Sequence, residues 1–310
     1  MERKEIIIGS RGSKLALVQS NLVIDELKKH YPDIEFKIKE IKTKGDKILD
    51  KTFDKIGGKG LFVKEIETAL LKGEIDIAVH SMKDVPSEFP KGLEISAITK
   101  REDMRDILIT KENTDFYSLK KGARIGTSSL RRGAQLKNLR NDIEIVPVRG
   151  NVQTRIRKIE ELDLDGVILA AAGLSRLGLE DQISYYFNIM DVIPAVGQGA
   201  LGIETREDDD FVKEMTSKIN DETTSLAIKA ERMFMKILNG GCHVPIGAFA
   251  FIEEEKLKMV GTVASIDGEK QIKVSGEEKI SGYEELGKMI AEEVLDRGGR
   301  DILNAIEGDN

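Results

Sequence analysis

Lys4-Glu5-Ile6-Ile7-Ile8-Gly9-Ser10-Arg11-Gly12-Ser13-Lys14-Leu15-Ala16 is the stretch from which the fold can be read. Its apolar run through Gly9 predicts a short buried strand. Glycine and serine then turn the chain. Ser13 is placed to cap a helix from Lys14 to about His30, with Leu15, Val18, Leu22 and Leu27 near one face. Strand, Gly/Ser turn and helix in that order aim backbone N–H groups at an anion. The turn is not a P-loop, because Gly-x-x-x-x-Gly-Lys-Ser/Thr does not fit Gly9 to Lys14. Ile34 to Ile41 alternates as a second strand. The same grammar returns at Arg124-Ile125-Gly126-Thr127-Ser128-Ser129-Leu130-Arg131-Arg132, a strand end and polar turn opening a helix to about Leu139. Two such turns predict two α/β domains of one type. The repeat lies in the order of elements, not in residue identity.

Between and after these turns the chain is punctuated in a way that places its polar residues. Residues 42–60 are polar, lysine-rich and end in Gly57-Gly58-Lys59-Gly60, a length that suits either a lid or plain surface disorder. A helix from Leu61 to Lys72 and a strand from Ile75 to Val79 follow. That strand delivers His80-Ser81-Met82-Lys83-Asp84-Val85-Pro86 at its carboxyl end, where open α/β sheets place ligands. Further strands are expected at Leu93 to Ile98, near Ile107, at Ile143 to Val148 before Arg149-Gly150, and at Val167 to Ala170. Helix Val152 to Leu162 carries Arg155 near its start. Gly197, Gly199 and Gly202 satisfy G-x-G-x-x-G, but Pro194 precedes them and Leu201 to Glu204 reads as extended. A dinucleotide fingerprint needs strand, turn and helix, so a chain crossing back between domains fits better. A helix from Ser225 to Leu238 leads into Asn239-Gly240-Gly241-Cys242-His243-Val244-Pro245. Three alternating strands and two helices, Tyr283 to Arg297 and Arg300 to Ile306, then make a small α+β domain.

Composition narrows the function classes. Hydrophobic content of 40% with 33% charged residues is that of a soluble globular protein. No apolar run reaches the ~18 residues of a membrane span. Met1 to Glu5 leads straight into a strand with no signal-peptide pattern, so a cytoplasmic setting is expected. A net charge of −7 argues against general nucleic-acid binding. Yet Arg124 to Arg176 holds eight arginines and two lysines against six acids, a net of +4. Guanidinium forks suit paired binding of carboxylates or phosphates, although a basic segment is commonly just a solvated surface.

One cysteine gives no disulfide, and with three histidines it gives no metal-ligand spacing. Cys242 and His243 are neighbours whose side chains diverge, which disfavours a Cys–His dyad. The lone thiol reads as either a buried apolar group or a group with a task. Asp84, among cations, reads as either a salt-bridge partner or a group that stabilises a developing cation or handles a proton. The inventory suits a polyanionic ligand. An anion-binding solute sensor and a cysteine-nucleophile hydrolase remain the rival readings.

The motifs already quoted, together with Lys59-Gly60-Leu61-Phe62, Arg149-Gly150-Asn151-Val152-Gln153-Thr154-Arg155, Val196-Gly197-Gln198-Gly199 and Gly240-Gly241-Cys242, carry a resemblance over nearly the whole chain. The sequence resembles the porphobilinogen deaminase (hydroxymethylbilane synthase) family. The resemblance implies an α/β fold of three domains: two periplasmic-binding-protein-like domains with mixed sheets, and a small α+β C-terminal domain. It places domain 1 at 1–99 with 200–217, including lid loop 42–60, domain 2 at 105–193, and domain 3 at 222–310. It implies a transferase of haem biosynthesis that joins four porphobilinogen molecules head to tail into hydroxymethylbilane, releasing ammonia. The primer would be a dipyrromethane cofactor held by Cys242 through a thioether.

By match to the family, Asp84 is catalytic, and Ser13, Lys83, Thr127, Ser129, Arg131 and Arg132 bind the cofactor. Arg11, Lys55, Lys59, Phe62, Ser81, Arg149, Arg155, Arg176 and Gln198 attend the substrate or growing chain. Phe62 would stack on a pyrrole, with core packing as the equal alternative. No metal, nucleic acid or membrane partner is implied, and a monomer is expected.

Overall fold

The computed structural model describes residues 3–43, 63–86, 89–239 and 244–308. The chain divides into two compact units, residues 1–102 with 200–225 and residues 103–199 with 226–310. Its elements begin with β1 (Glu5–Ser10), α1 (Lys14–His30), β2 (Glu35–Glu40), α2 (Lys64–Leu71), β3 (Ile77–Ser81) and β4 (Leu93–Ile98). Next come β5 (Asp106–Thr110), β6 (Arg124–Gly126), α3 (Leu130–Leu139), β7 (Glu144–Val146), α4 (Val152–Glu161), β8 (Gly166–Ala170), α5 (Ala171–Ser175) and β9 (Tyr185–Tyr186). The chain then forms β10 (Leu201–Arg206), α6 (Asp210–Ser217) and α7 (Glu222–Ile237). It closes with β11 (Ile246–Glu253), β12 (Lys256–Ala264), β13 (Gln271–Lys279), α8 (Tyr283–Val294) and α9 (Arg300–Gly308).

The first unit holds one five-stranded sheet in the order β2-β1-β3-β10-β4. β1 runs parallel to both β2 and β3, and β10 runs antiparallel to both β3 and β4. Ile6 and Ile8 of β1 are fully buried and share a core with Val23, Ile24 and Leu27 of α1 and Val212 and Met215 of α6. Leu22, expected on the buried face, is 43% exposed. The buried stripe of α1 is Gln19, Ser20, Val23, Ile24 and Leu27. A helix lying over a strand's polar end buries polar residues at that end, and apolar spacing alone cannot show it.

The second unit repeats the plan. Its first sheet has the order β7-β6-β8-β5-β9, with β6 parallel to β7 and β8, and β5 antiparallel to β8 and β9. The two five-stranded sheets therefore share one succession of pairings: parallel, parallel, antiparallel, antiparallel. The second unit also contains the antiparallel meander β11-β12-β13. Phe234 of α7 and Leu286, Ile290 and Val294 of α8 pack on Ala248, Met259 and Val263 of that meander. The fold is α/β with two mixed sheets and a small sheet-and-helix C-terminal part.

Helix α6, which is not among the elements expected from sequence, opens on the acidic residues Glu207-Asp208-Asp209-Asp210. Asp209 caps it by accepting from the Val212 amide, and acids in a first helical turn favour the positive end of the helix dipole. The Gly197 to Gly202 stretch runs into strand β10 and not into a helix, so it lacks the turn-to-helix order of a dinucleotide fingerprint. Gly197 and Gly199 take positive φ of 72° and 97°, conformations open to glycine at little cost.

Candidate active site

In the first unit, β1 and β3 lie side by side, with Ile8 opposite Ile77 and Gly9 opposite Ala78. From their carboxyl ends the chain departs toward opposite edges of the sheet: β1 leads to β2 and β3 leads to β4. Such a divergence opens the crevice in which α/β sheets hold ligands. Arg11 and Ser13 follow β1, while Ser81 ends β3 and Lys83 and Asp84 stand in the 3-10 turn Met82–Asp84 behind it. Asp84 is exposed and Lys83 half-buried. Ser13 caps α1 by accepting from the Ala16 amide at 3.3 Å. A hydroxyl that accepts this bond keeps its own O–H to donate to a ligand. Ser81 Oγ accepts from Gln19 Nε2 at 3.0 Å.

The second unit builds a counterpart. β6 is flanked by parallel β7 and β8, and the carboxyl ends of the three lead to Thr127–Ser129, Arg149 and Arg176. Ser129 caps α3, accepting from the Arg132 amide at 3.4 Å, and again keeps a donor. Thr127 is buried, its Oγ1 accepting from the Ser129 amide at 3.1 Å. Ser128 Oγ donates to the Val148 carbonyl at 3.0 Å, tying the two turns together. Arg155 Nε donates to the Gly150 carbonyl at 2.8 Å, and Arg176 Nη2 to the Gly199 carbonyl at 2.5 Å. Arg149 is half-buried.

Arg131 and Arg132 sit differently from a surface pair. Each is 5% exposed, and both close on Asp106, which is 0% exposed. Arg131 Nη1 lies 2.7 Å from Asp106 Oδ2 and 2.6 Å from the Ile193 carbonyl. Arg132 Nε and Nη2 donate to Asp106 Oδ1 at 3.0 and 2.7 Å. Gln198 is equally buried, its Nε2 donating to Asp106 Oδ1 at 2.9 Å and to the Met104 carbonyl at 2.7 Å. Burial opposes ionisation of Asp106, but the two guanidiniums together hold its carboxyl well below the usual range. Burial, joined by the like charge of Arg132 and offset by Asp106, pulls Arg131 below the ordinary guanidinium value.

The structure thus groups Arg11, Ser13, Ser81, Lys83 and Asp84 in one unit, and Thr127, Ser129, Arg131, Arg132, Arg149, Arg155, Arg176 and Gln198 in the other. Cys242 with 240–243, Lys55, Lys59, Phe62 and residues 44–60 of the expected lid lie outside the described residues. Sequence reasoning missed Gln19 and Asp106. The signal for Asp106 was a carboxylate heading the apolar strand Ile107 to Ile109. Among the described residues no cluster of His, Cys, Asp and Glu is arranged to hold a metal, and no helix is long and apolar enough to cross a membrane.

Twin mixed sheets, each with a serine-capped helix beside cationic side chains, define an α/β protein of repeated plan. Residues 6–214 match the family model described as "Porphobilinogen deaminase, dipyromethane cofactor binding domain", and residues 225–296 match "Porphobilinogen deaminase, C-terminal domain". The chain belongs to the porphobilinogen deaminase family. A porphobilinogen deaminase of Alkaliphilus metalliredigens is 54% identical over 307 residues, covering 99% of this chain and 97% of that one. Another, of Carboxydothermus hydrogenoformans, is 51% identical over 307 residues and covers 99% of both. The solved methionine binding protein MetQ overlays 77% of this chain and 97% of its own at 13% identity and a TM-score of 0.46. That likeness is too distant to carry weight, and the fold rests on strand order.

Proposed function

We propose that the chain is a hydroxymethylbilane synthase, joining four porphobilinogen molecules head to tail with release of ammonia, on a dipyrromethane bound through Cys242. The observation that carries this reading is the charge balance at the start of α3. Among the described residues, two buried guanidiniums pair with one carboxylate, that of Asp106, beside a serine cap with a donor to spare. The surplus positive charge calls for an anion, and every pyrrole of the substrate and cofactor bears an acetate and a propionate. The donor set therefore fits the cofactor's carboxylates. Dipyrromethane, when bound, supplies the terminal pyrrole carbon to which the substrate is joined.

The chain's own residues have separable tasks. Cys242 anchors. Ser13, Lys83, Thr127, Ser129, Arg131 and Arg132 hold cofactor carboxylates, each contributing far less than its gross Coulomb energy because desolvation opposes it. Arg11, Arg149, Arg155, Arg176, Ser81, Gln198, Lys55, Lys59 and Phe62 attend substrate and the growing chain. Loss of ammonia leaves positive charge on the substrate's methylene carbon, and exposed Asp84 supplies the negative charge that stabilises it. The domain division 1–99 with 200–217, 105–193 and 222–310 is part of the proposal and is supported by the three separate sheets. A cytoplasmic monomer with no nucleic-acid or membrane partner belongs to the same proposal.

Intact mass tests the anchor. Freshly purified protein is expected to carry two linked pyrroles on the Cys242 peptide and to release ammonia from porphobilinogen. Cys242→Ser is expected to lack the adduct and to be largely inactive. An unmodified thiol in freshly purified protein that binds ligand reversibly and releases no ammonia would return the chain to the solute-binding reading.

A further inference from the structure

Strand β3 ends at the turn that bears Asp84, and its last two residues point to opposite faces of the sheet, as successive strand residues must. Ser81, on one face, is held by Gln19 of α1 at 3.0 Å. His80, on the other, meets an acid from β10: His80 Nε2 lies 2.8 Å from Glu204 Oε2. The strand register explains the meeting. Gly202 stands opposite His80 and Glu204 opposite Ala78, so His80 and Glu204 are diagonal neighbours on one face. His80 is 7% exposed and Glu204 1%. Helix α2 packs on β3 and β10 and brings a second acid, Glu67, 8% exposed, into the field of both. Burial first, then the charge of Glu204, pushes the Glu67 carboxyl above its ordinary range, partly offset by His80 and by Lys64 on its own helix.

Three buried titratable groups on three elements, at the strand that leads into the Asp84 turn, are costly to assemble unless they fix something. We propose that His80 and Glu204, with Glu67 above them, are positioning residues that lock the end of β3 and thereby set the placement of the Lys83–Asp84 turn for the condensation. Gln19 is the matching pin on the opposite face. Displacement of a reacting group by about 1 Å can cost on the order of 10²-fold in rate. A pin that sets Asp84 therefore acts on turnover more than on substrate affinity. This inference rests on the proposed function for its kinetic consequence, but not for its structural one.

The experiment compares wild type with Glu204→Gln, which keeps size, and with His80→Gln, reading kcat and KM per molecule bearing the Cys242 adduct. Both variants are expected to lose on the order of 10-fold or more in kcat with KM within about twofold of wild type. The 1H–15N amide signals of Lys83 and Asp84 are expected to shift in the same samples, while those of the β6–α3 turn stay in place. Wild-type kcat per adduct together with unmoved Lys83 and Asp84 signals overturns the proposal. So does a loss confined to folding or loading, with normal turnover in whatever fraction remains loaded. If wild type itself makes no adduct and no bilane, the functional reading fails, and the amide signals alone decide whether the pair positions the turn.

Discussion

Asp106 shows what one residue does for the arginine cluster. A buried carboxylate stays ionised here because two guanidiniums and Gln198 converge on it, and the guanidiniums stay buried because the carboxylate is there. Asp106→Asn removes the anion and leaves two buried cations facing a neutral amide. Breaking a buried ionic network from one side costs on the order of 3–5 kcal/mol, so the urea midpoint at pH 7 should fall accordingly. The pH dependence follows from the direction of the shift. The folded carboxyl titrates below its ordinary value of 3.8, so its stabilisation is fully present above that value and is lost as pH falls through the lowered one. The gap between wild type and variant should be level from pH 5 to 8 and shrink only in stronger acid. Equal midpoints at pH 7 would show that Asp106 does not organise the pair.

At the scale of elements, α1 and α3 are the parts the sequence renders best, because Ser13 and Ser129 are caps whose role is local and visible in residue type. Which face each helix buries is less visible, as exposed Leu22 and buried Gln19 show. Helix α2 carries its own prediction through Glu67. Its folded carboxyl titrates above the ordinary 4.5, so the folded state keeps a proton that the unfolded chain gives up. The stabilising contribution is therefore complete below about 4.5 and is lost as pH climbs through the raised value. Glu67→Gln stays neutral throughout and is spared that loss. Melting temperatures from pH 4 to 8 should show the variant gaining on wild type as pH rises, with the two converging toward pH 4. A gap that is constant with pH would mean that Glu67 ionises in the folded protein as it does in the unfolded chain.

For the whole molecule, the twin plan was legible as two similar turns, yet the shared strand order was not. β5 and β10 join their sheets from distant points of the chain, and β9 is two residues long. The arginines of α3 were legible as residue types; their carboxylate, Asp106, lies some way back in sequence at the head of strand β5. Longer-range still is the support that α3 takes from the C-terminal meander. Asn138 Nδ2 donates to the Gly268 carbonyl at 3.0 Å, and Gln271 reaches Gln135 at 3.2 Å. Gln135 in turn brackets Ile193, whose carbonyl also receives Arg131. Gly268 has φ of +80°, and a Cβ there would fall 2.6 Å from the Ala134 carbonyl oxygen and 2.7 Å from Lys137 Cβ. Gly122 has a similar φ of +74° with nothing within 4 Å of its would-be Cβ. Gly122→Ala therefore measures the backbone cost alone, roughly 1–2 kcal/mol for a left-handed residue. Gly268→Ala adds the collision with α3, because the neighbours include helix backbone that cannot swing aside. Urea denaturation should rank Gly268→Ala clearly below Gly122→Ala. Intact mass should show slower acquisition of the Cys242 adduct in Gly268→Ala only, since displacing α3 moves Arg131 and Arg132. Equal stability and equal loading in the two variants would mean that the meander does not brace the arginine helix.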